Sequence, residues 1–150
     1  MPTNSESLLR KIVLAARGQK PTNILIRGGR KAHQASLAQA AAKAIGFDMF
    51  RVDLNGVVSK YIGETEKNLN QVFERAAKTN ALLFFDEAEA LFGKRSEVKD
   101  AHDRYANLET NYLLKQMEAH QGISILTTNK RHKLPKTFLR RFRYVIELPV

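Results

Sequence analysis

A chain of 150 residues that is 43% hydrophobic can bury one substantial core, and its length favours a single domain over two. It contains no cysteine, which excludes disulfides and thiolate metal sites, and no apolar run approaches the roughly 18 residues of a membrane span. Because it also lacks a secretory signal pattern and has a net charge of +10, we expect a cytoplasmic protein with a strongly basic surface.

The positive charge is concentrated at the two ends of the sequence. Residues 1–35 and residues 130–150 each carry seven Lys or Arg against one acid, so each segment has a net charge of +6. Residues 36–129 hold 11 bases and 13 acids, which gives −2. Two interpretations stay open: ordinary solvated surfaces, or a patch that binds nucleic acid or another polyanion if the fold brings the ends together.

Short β-rich runs alternate with helical stretches along the chain, and no repeat or linker interrupts them. In chain order the predicted elements are helix Ser5–Arg17, strand Asn23–Arg27, helix Ser36–Ala44, strand Met49–Leu54, helix Thr65–Lys78, strand Ala81–Phe85, helix Asp103–His120, strand Ile123–Thr127 and strand Tyr144–Leu148. This alternation predicts an α/β fold with a largely parallel sheet, helices on both faces, and ligands at the carboxyl ends of the strands.

Polar residues follow two of the predicted strands. Asp86 and Glu87 end the apolar run ALLFF, and Thr127-Thr128-Asn129 ends the run ISIL. A buried strand with two acids at its tip is typical of phosphoryl-transfer proteins, in which the first carboxylate supports Mg²⁺ and the second polarises the attacking water. The acids could instead cap the following helix, since carboxylates favour a helix N-terminus. If the two strands are neighbours, the Asn129 amide lies beside the acids.

Four longer segments carry a resemblance to a known family. They are FRVDLNGVVSKYIGETEKNLNQVFERA, LLFFDEAEALFGKRSEVKDAHDRYANLE, SILTTN and FLRRFRYVIELP. Over about residues 22–149 the chain resembles the core of the AAA ATPases, and most of all a bacterial branch with an FGKRSEVKD-HDRYAN signature, which is cytoplasmic and typically forms hexameric rings. The resemblance implies a P-loop NTPase-type three-layer sandwich with a five-stranded parallel sheet in the order 5-1-4-3-2.

The resemblance also implies a domain organisation and a set of ligands. Residues 1–21 form an N-terminal helix and lead-in, and residues 22–150 form the AAA core. No C-terminal helical lid is expected, because the sequence stops at Pro149-Val150 straight after the fifth predicted strand. ATP and Mg²⁺ are the implied cofactors, and other AAA subunits in a homo- or hetero-oligomeric ring and a protein substrate are the implied partners.

Five site residues are implied by the match to family motifs. Asp86 corresponds to the magnesium-side carboxylate of the Walker B motif, Glu87 to the water-polarising base and Asn129 to the sensor amide. Arg141 and Arg143 resemble the two arginine fingers that reach the γ-phosphate of a neighbouring subunit. The family spacing RRxGRF is shortened here to RRFRY, which puts the second finger in question; outside the resemblance, ordinary surface charge would explain both arginines.

A further motif precedes the predicted helix Thr65–Lys78. Lys60, Tyr61, Ile62 and Gly63 resemble the aromatic pore loop that grips a polypeptide threaded through the ring. The alternative for a single tyrosine in this position is that its ring packs at the helix entrance.

The phosphate-binding loop departs from the family pattern. A working loop reads G-x-x-x-x-G-K-[ST], because backbone N–H groups surround the phosphates, the lysine neutralises their β/γ oxygens and the hydroxyl binds Mg²⁺. Counting back from AIGFDMFRVDL places His33 at the last glycine, Gln34 at the lysine and Ala35 at the hydroxyl residue. Shifting by one restores a hydroxyl at Ser36 but still lacks the lysine. The degenerate loop comprises Gly28, Gly29, Arg30, Lys31, Ala32, His33, Gln34, Ala35 and Ser36.

The sequence therefore predicts an AAA core with an impaired nucleotide site, weak ATP binding, slow or absent hydrolysis, and a role in ring assembly or partner remodelling. One alternative is an active ATPase with an unusual phosphate loop, which the intact Asp86-Glu87 pair favours. Another is a basic protein that reuses the fold to bind a polyanion. Nucleic acid is a less favoured partner, and no membrane partner is expected.

Overall fold

The structure is a computed structural model that describes residues 4–18, 21–92, 101–129 and 134–148. Residues 93–100 of the FGKRSEVKD signature lie outside the described residues. The helices are α1 Asn4–Gly18, α2 Lys31–Ala44, α3 Leu54–Val57, α4 Glu64–Ala77, α5 Glu89–Phe92, α6 Ala101–Ala119 and α7 Lys136–Leu139. The strands are β1 Thr22–Arg27, β2 Asp48–Asp53, β3 Ala81–Asp86, β4 Ile123–Thr128 and β5 Tyr144–Glu147. No helix in these ranges is both long enough and apolar enough to cross a membrane.

All five strands form one parallel sheet in the order β2-β3-β4-β1-β5, which confirms the predicted order 5-1-4-3-2. The three central strands β1, β3 and β4 are buried along nearly their whole length. Such strands read as continuous apolar runs because helices cover both faces of a parallel sheet. The edge strands β2 and β5 keep more exposed residues.

Two apolar layers enclose the sheet and confirm the three-layer α/β sandwich. On one face α1 and α2 pack on the sheet through a cluster that includes Leu8, Ile12, Ile24, Ala38 and Phe84. On the other face α4 and α6 pack through a cluster that includes Leu69, Phe73, Leu113, Met117 and Leu126. Burial of fully enclosed side chains of this size contributes about 1.5–3 kcal/mol each, so these layers supply the stability that holds the strand ends in place.

Helix α2 is the element whose position differs most from its prediction. It begins at Lys31, five residues before the expected start at Ser36. The predicted phosphate loop ran to Ser36, whereas the chain turns at two glycines and enters the helix directly after Arg30. The four-residue helices α3, α5 and α7 were not predicted, because one turn is too short to show a hydrophobic period.

The His120 side chain, just beyond the end of α6, makes stability depend on pH. Its ring meets Phe73 edge-on with centroids 5.7 Å apart, and burial lowers the pKa of the imidazole. The unfolded chain therefore binds a proton more readily than the folded one, so stability is full above the ordinary value of 6.5 and is lost as pH falls below it. We expect His120→Phe to flatten the decline in urea midpoint between pH 7.5 and 5.5, while Asn70→Ala, at an exposed position of α4, leaves the decline unchanged. An equal decline in His120→Phe would contradict this assignment.

Candidate functional site

The carboxyl ends of β1, β3 and β4 meet at a polar cleft of about 160 Å³. Neighbouring parallel strands bring their ends to one edge, which is why residues distant in sequence meet here. The cleft is lined by Gly29, Lys31, Gln34, Asp86, Glu87, Glu89, Thr127, Thr128 and Asn129. The structure thus brings together the two acids, Asn129, which was predicted as the sensor amide, and part of the predicted loop.

The turn between β1 and α2 is short. Gly28 and Gly29 have positive φ angles of 82° and 76°, and Arg30 is extended with φ −85° as the residue before the helix. Residues Lys31 to Gln34, His33 among them, form the first turn of α2. This turn therefore departs from the longer loop of the G-x-x-x-x-G-K-[ST] pattern.

Gln34 occupies the position expected for the lysine and turns into the protein. Its side chain is buried, and its amide nitrogen donates a hydrogen bond of 2.8 Å to the Gly28 carbonyl and a longer one of 3.4 Å to the Thr128 carbonyl. The Gly28 backbone N–H also donates to the Thr128 carbonyl at 3.1 Å. A neutral amide thus ties the glycine turn to the end of β4.

Asp86 has a cationic partner within the chain. This buried carboxylate accepts a hydrogen bond of 2.6 Å from the half-exposed Arg51 guanidinium and one of 3.4 Å from the Thr127 hydroxyl. No motif in the sequence pointed to Arg51. Register explains the contact: Arg51 lies opposite Phe84, two residues before Asp86 and hence on the same face of the sheet.

Glu87 forms an ion pair with Lys31, which projects from the first turn of α2. Its backbone φ is 68°, the only positive value at a non-glycine residue in the described ranges. This conformation costs a side-chain-bearing residue roughly 1–2 kcal/mol, so the surrounding contacts must hold the chain in place. The Glu87 carboxylate, which was predicted to polarise water, is therefore attached to a strained backbone and paired with Lys31.

Glu89 is a second residue that no motif indicated, and its carboxylate binds the end of β4. One of its carboxylate oxygens accepts a hydrogen bond of 2.8 Å from the Thr128 hydroxyl and another from the Asn129 backbone N–H. The sequence did offer a signal for Glu89: it is the third acid in the run DEAE, only two residues after Glu87 and therefore close to the end of the same strand. These bonds fix the backbone that carries the Asn129 side chain.

Arg141 and Arg143 lie outside the lining of the cleft. The Arg141 guanidinium donates to Asn111 and Glu118 on α6. Arg143 is exposed, with its guanidinium carbon 5.7 Å from the centre of the Tyr144 ring. The two candidate fingers thus have different surroundings within their own chain.

The residues compared with a pore loop form an exposed turn between α3 and α4. Tyr61 and Ile62 are 63% and 74% exposed, so the alternative of a tyrosine packed at the helix entrance is wrong. The Ser59 backbone N–H donates to the Thr65 hydroxyl, and the Tyr61 backbone N–H donates to the Ser59 hydroxyl, which fixes the base of the turn. Lys60 lies over the Tyr61 ring at 5.7 Å.

Gly29 is required by both its conformation and its surroundings. A Cβ here would lie 3.0 Å from the Leu148 Cδ1 atom, in addition to the positive φ. We expect Gly29→Ala to destabilise the protein by about 2–4 kcal/mol, as backbone strain and a core overlap combine. Gly46→Ala, with positive φ in open space, should cost only about 1 kcal/mol. Gly56→Ala, with neither feature, should be neutral or stabilising. Equal midpoints in urea for all three would contradict this order.

The chain is similar in sequence to one family of known proteins and to individual members of it. The model of the ATPase family associated with various cellular activities (AAA) matches residues 33–150. Cell division protein C of Sulfolobus acidocaldarius is 33% identical over 144 residues, covering 86% of this chain and 37% of that protein. The 26S proteasome subunit RPT4 of Saccharomyces cerevisiae is 28% identical over 137 residues (87% and 31%), and the proteasome-activating nucleotidase of Methanosphaerula palustris is 28% identical over 156 residues (99% and 37%). The chain spans about a third of the length of these relatives.

Proposed function

Because the chain belongs to the AAA family of ATPases, we propose that it is an AAA core with an impaired nucleotide site, which binds ATP weakly, hydrolyses it slowly or not at all, and acts through assembly with other AAA subunits. The observation that carries this proposal is Gln34. It occupies the lysine position and satisfies its amide with the carbonyl oxygens of Gly28 and Thr128.

The energetic argument concerns the charge around a triphosphate. A charged hydrogen bond contributes about 1.5–3 kcal/mol, and the loop has lost both the lysine and the hydroxyl that would hold Mg²⁺. Lys31 lines the cleft, but its ammonium is paired with Glu87 and it projects from the first turn of α2. Loss of the lysine donor together with the hydroxyl ligand of Mg²⁺ should slow phosphoryl transfer by roughly a thousandfold or more.

The residues present also fit poorly to the ATP and Mg²⁺ that the family implies. Arg51 neutralises Asp86, Lys31 neutralises Glu87, and Gln34 stands in place of the lysine. These two ion pairs support a site in which the chain's own cations occupy the carboxylates that the family pattern assigns to Mg²⁺ and to the attacking water.

Other features support a role through partners. Tyr61 and Ile62 present an exposed aromatic and aliphatic tip, which suits contact with a protein substrate. One similar protein is named as a proteasome subunit, which fits a chain that works inside an assembly. Of what the name of that relative says, we propose only assembly for this chain: it joins other AAA subunits in a homo- or hetero-oligomeric ring.

Calorimetric titration with ATP tests the impaired site. We expect a Kd well above the micromolar range, with little change when Mg²⁺ is replaced by EDTA at matched ionic strength, because the chain lacks the lysine and metal hydroxyl. Low-micromolar binding that requires Mg²⁺ would instead favour the alternative of an active ATPase with an unusual loop.

A polyanion-binding role is the second candidate, and one observation favours it. Strands β1 and β5 pair directly, and Lys11 and Arg143 both lie against the Tyr144 ring, so the two basic ends do meet. Arg27 in the same region is already paired with Glu147 at 3.3 Å, so it adds little net positive charge to this surface. A steep loss of RNA or DNA affinity with salt, with ATP binding absent, would favour this candidate.

A further inference from the structure

The turn that leads into β5 separates the two arginines compared with arginine fingers. Phe142, between them, is buried in the core and packs on Phe138 with ring centroids 5.3 Å apart. Arg141 donates through its two terminal nitrogens to Asn111 and Glu118, which lie on one face of α6 two helical turns apart. Arg141 is thereby held against its own chain.

Arg143 has the opposite surroundings. It is exposed, it rests on the Tyr144 ring, and it forms no ion pair with any residue in the described part of the chain. A guanidinium without a carboxylate partner keeps its donors available for a carboxylate or phosphate. The geometry therefore leaves Arg143 free to bind an anion outside the chain, whereas Arg141 is occupied.

A single buried side chain fixes this arrangement. Asn23 in β1 is 6% exposed and uses both ends of its amide on the turn. Its nitrogen donates to the Arg141 carbonyl at 2.8 Å, and its oxygen accepts from the Arg143 backbone N–H at 3.0 Å. The Arg143 N–H also approaches the Asn23 carbonyl at 3.1 Å, so the turn is bound to β1 immediately before β5 begins.

We propose that Asn23 is a positioning residue that turns Arg141 inward onto α6 and leaves Arg143 as the one cation of the pair that this chain presents to the phosphate of a neighbouring subunit. The second half rests on the proposed assembly with other AAA subunits. Only a side chain with a donor and an acceptor side by side satisfies both partners: aspartate lacks the donor, and alanine lacks both.

Arginine modification by phenylglyoxal, read by peptide mass spectrometry, tests the positioning role in the full chain. Arg143 should react at the rate of the exposed Arg75, and Arg141 at least about tenfold more slowly, because its two charged hydrogen bonds must break first. Asn23→Ala should raise the Arg141 rate several-fold. The control Asn70→Ala, on the exposed side of α4, should change neither rate.

If Asn23→Ala does not fold, Asn23→Asp serves, since it keeps the acceptor for the Arg143 N–H and loses the donor to the Arg141 carbonyl. Equal rates for Arg141 and Arg143 in the wild type would overturn the proposal. An Arg141 rate that is unchanged in a folded Asn23 variant would overturn the role of Asn23.

A mixing experiment tests what Arg143 presents. Copies with the loop changed by His33→Gly, Gln34→Lys and Ala35→Thr, and with their own Arg143 changed to Ala, are mixed with excess wild-type, Arg143→Ala or Arg75→Ala copies, and ATP hydrolysis is measured. We expect wild-type and Arg75→Ala copies to raise turnover and Arg143→Ala copies not to. Stimulation by Arg143→Ala copies overturns the assignment. Failure of the changed loop to bind ATP contradicts the proposed nucleotide site, while the modification rates still decide the roles of Asn23 and Arg141.

Discussion

The triple variant His33→Gly, Gln34→Lys and Ala35→Thr is expected to bind ATP about 10- to 100-fold more tightly than the wild type, because one charged donor to phosphate contributes about 1.5–3 kcal/mol. The Gln34 side chain already points between the carbonyls of Gly28 and Thr128 at the edge of the cleft, so a lysine there starts near the correct place. The glycine allows the first turn of α2 to open. Magnesium-dependent titration calorimetry measures the gain.

Two matched variants define what a gain would mean. His33→Gly with Ala35→Thr restores the glycine and the hydroxyl without the lysine, so it should bind ATP nearly as weakly as the wild type. Gln34→Gly with Ala35→Lys tests the register shifted by one, in which Ser36 supplies the hydroxyl. Because Ala35 is buried against the sheet, a lysine there should destabilise the fold rather than bind phosphate. Absence of any gain in the triple variant would show that the alignment of the loop is wrong.

Loss of Arg51 is expected to cost more than loss of its partner. Arg51→Met leaves the buried Asp86 carboxylate without its cation, and we expect a loss of about 1–2 kcal/mol, discounted because the Arg51 side chain is 49% exposed. Asp86→Asn leaves Arg51 able to turn to water, so it should cost less than half as much. The double variant should resemble Asp86→Asn alone, since breaking a pair is worse than removing both charges.

Urea unfolding of the four proteins measures this cycle, with Arg75→Met, at an exposed position of α4, as the control for loss of one positive charge. Magnesium adds a second readout. Arg51 neutralises the Asp86 carboxylate, which the family pattern assigns to Mg²⁺. Added Mg²⁺ should therefore stabilise Arg51→Met and not the wild type at matched ionic strength. Additive losses in the cycle, or a magnesium response in the wild type, would contradict the role given to Arg51.

The sheet could be predicted from sequence because its strands have a simple cause. The apolar runs of β1, β3 and β4 are bounded by Gly, Asn or charged residues, and burial on both faces requires such continuous runs. Their predicted ends differ from the structure by at most one residue. The strand order itself came from the family resemblance and not from periodicity.

The details of the cleft could not be predicted in the same way. The missing lysine was visible at Gln34, but its inward bonds depend on how close Gly28 comes to the end of β4. The contact between Arg51 and Asp86 depends on the register of β2 against β3, which a single sequence does not give. The start of α2 was predicted late because a family loop was assumed where the chain forms helix.

The order of the strands also governs how the protein can fold as it is synthesised. Both neighbours of β1, namely β4 and β5, follow it by about 100 residues or more, and Thr22 pairs with Ile123. At about 5–20 residues per second, a ribosome needs roughly 5–20 s to make that stretch. During this interval the apolar segment Ile24–Ile26 has neither of its partner strands. An unpaired apolar strand is a template for wrong pairing, and the helices that pack on β1 in the folded protein, α1 and α2, are the elements made early enough to cover its apolar face before β4 is made.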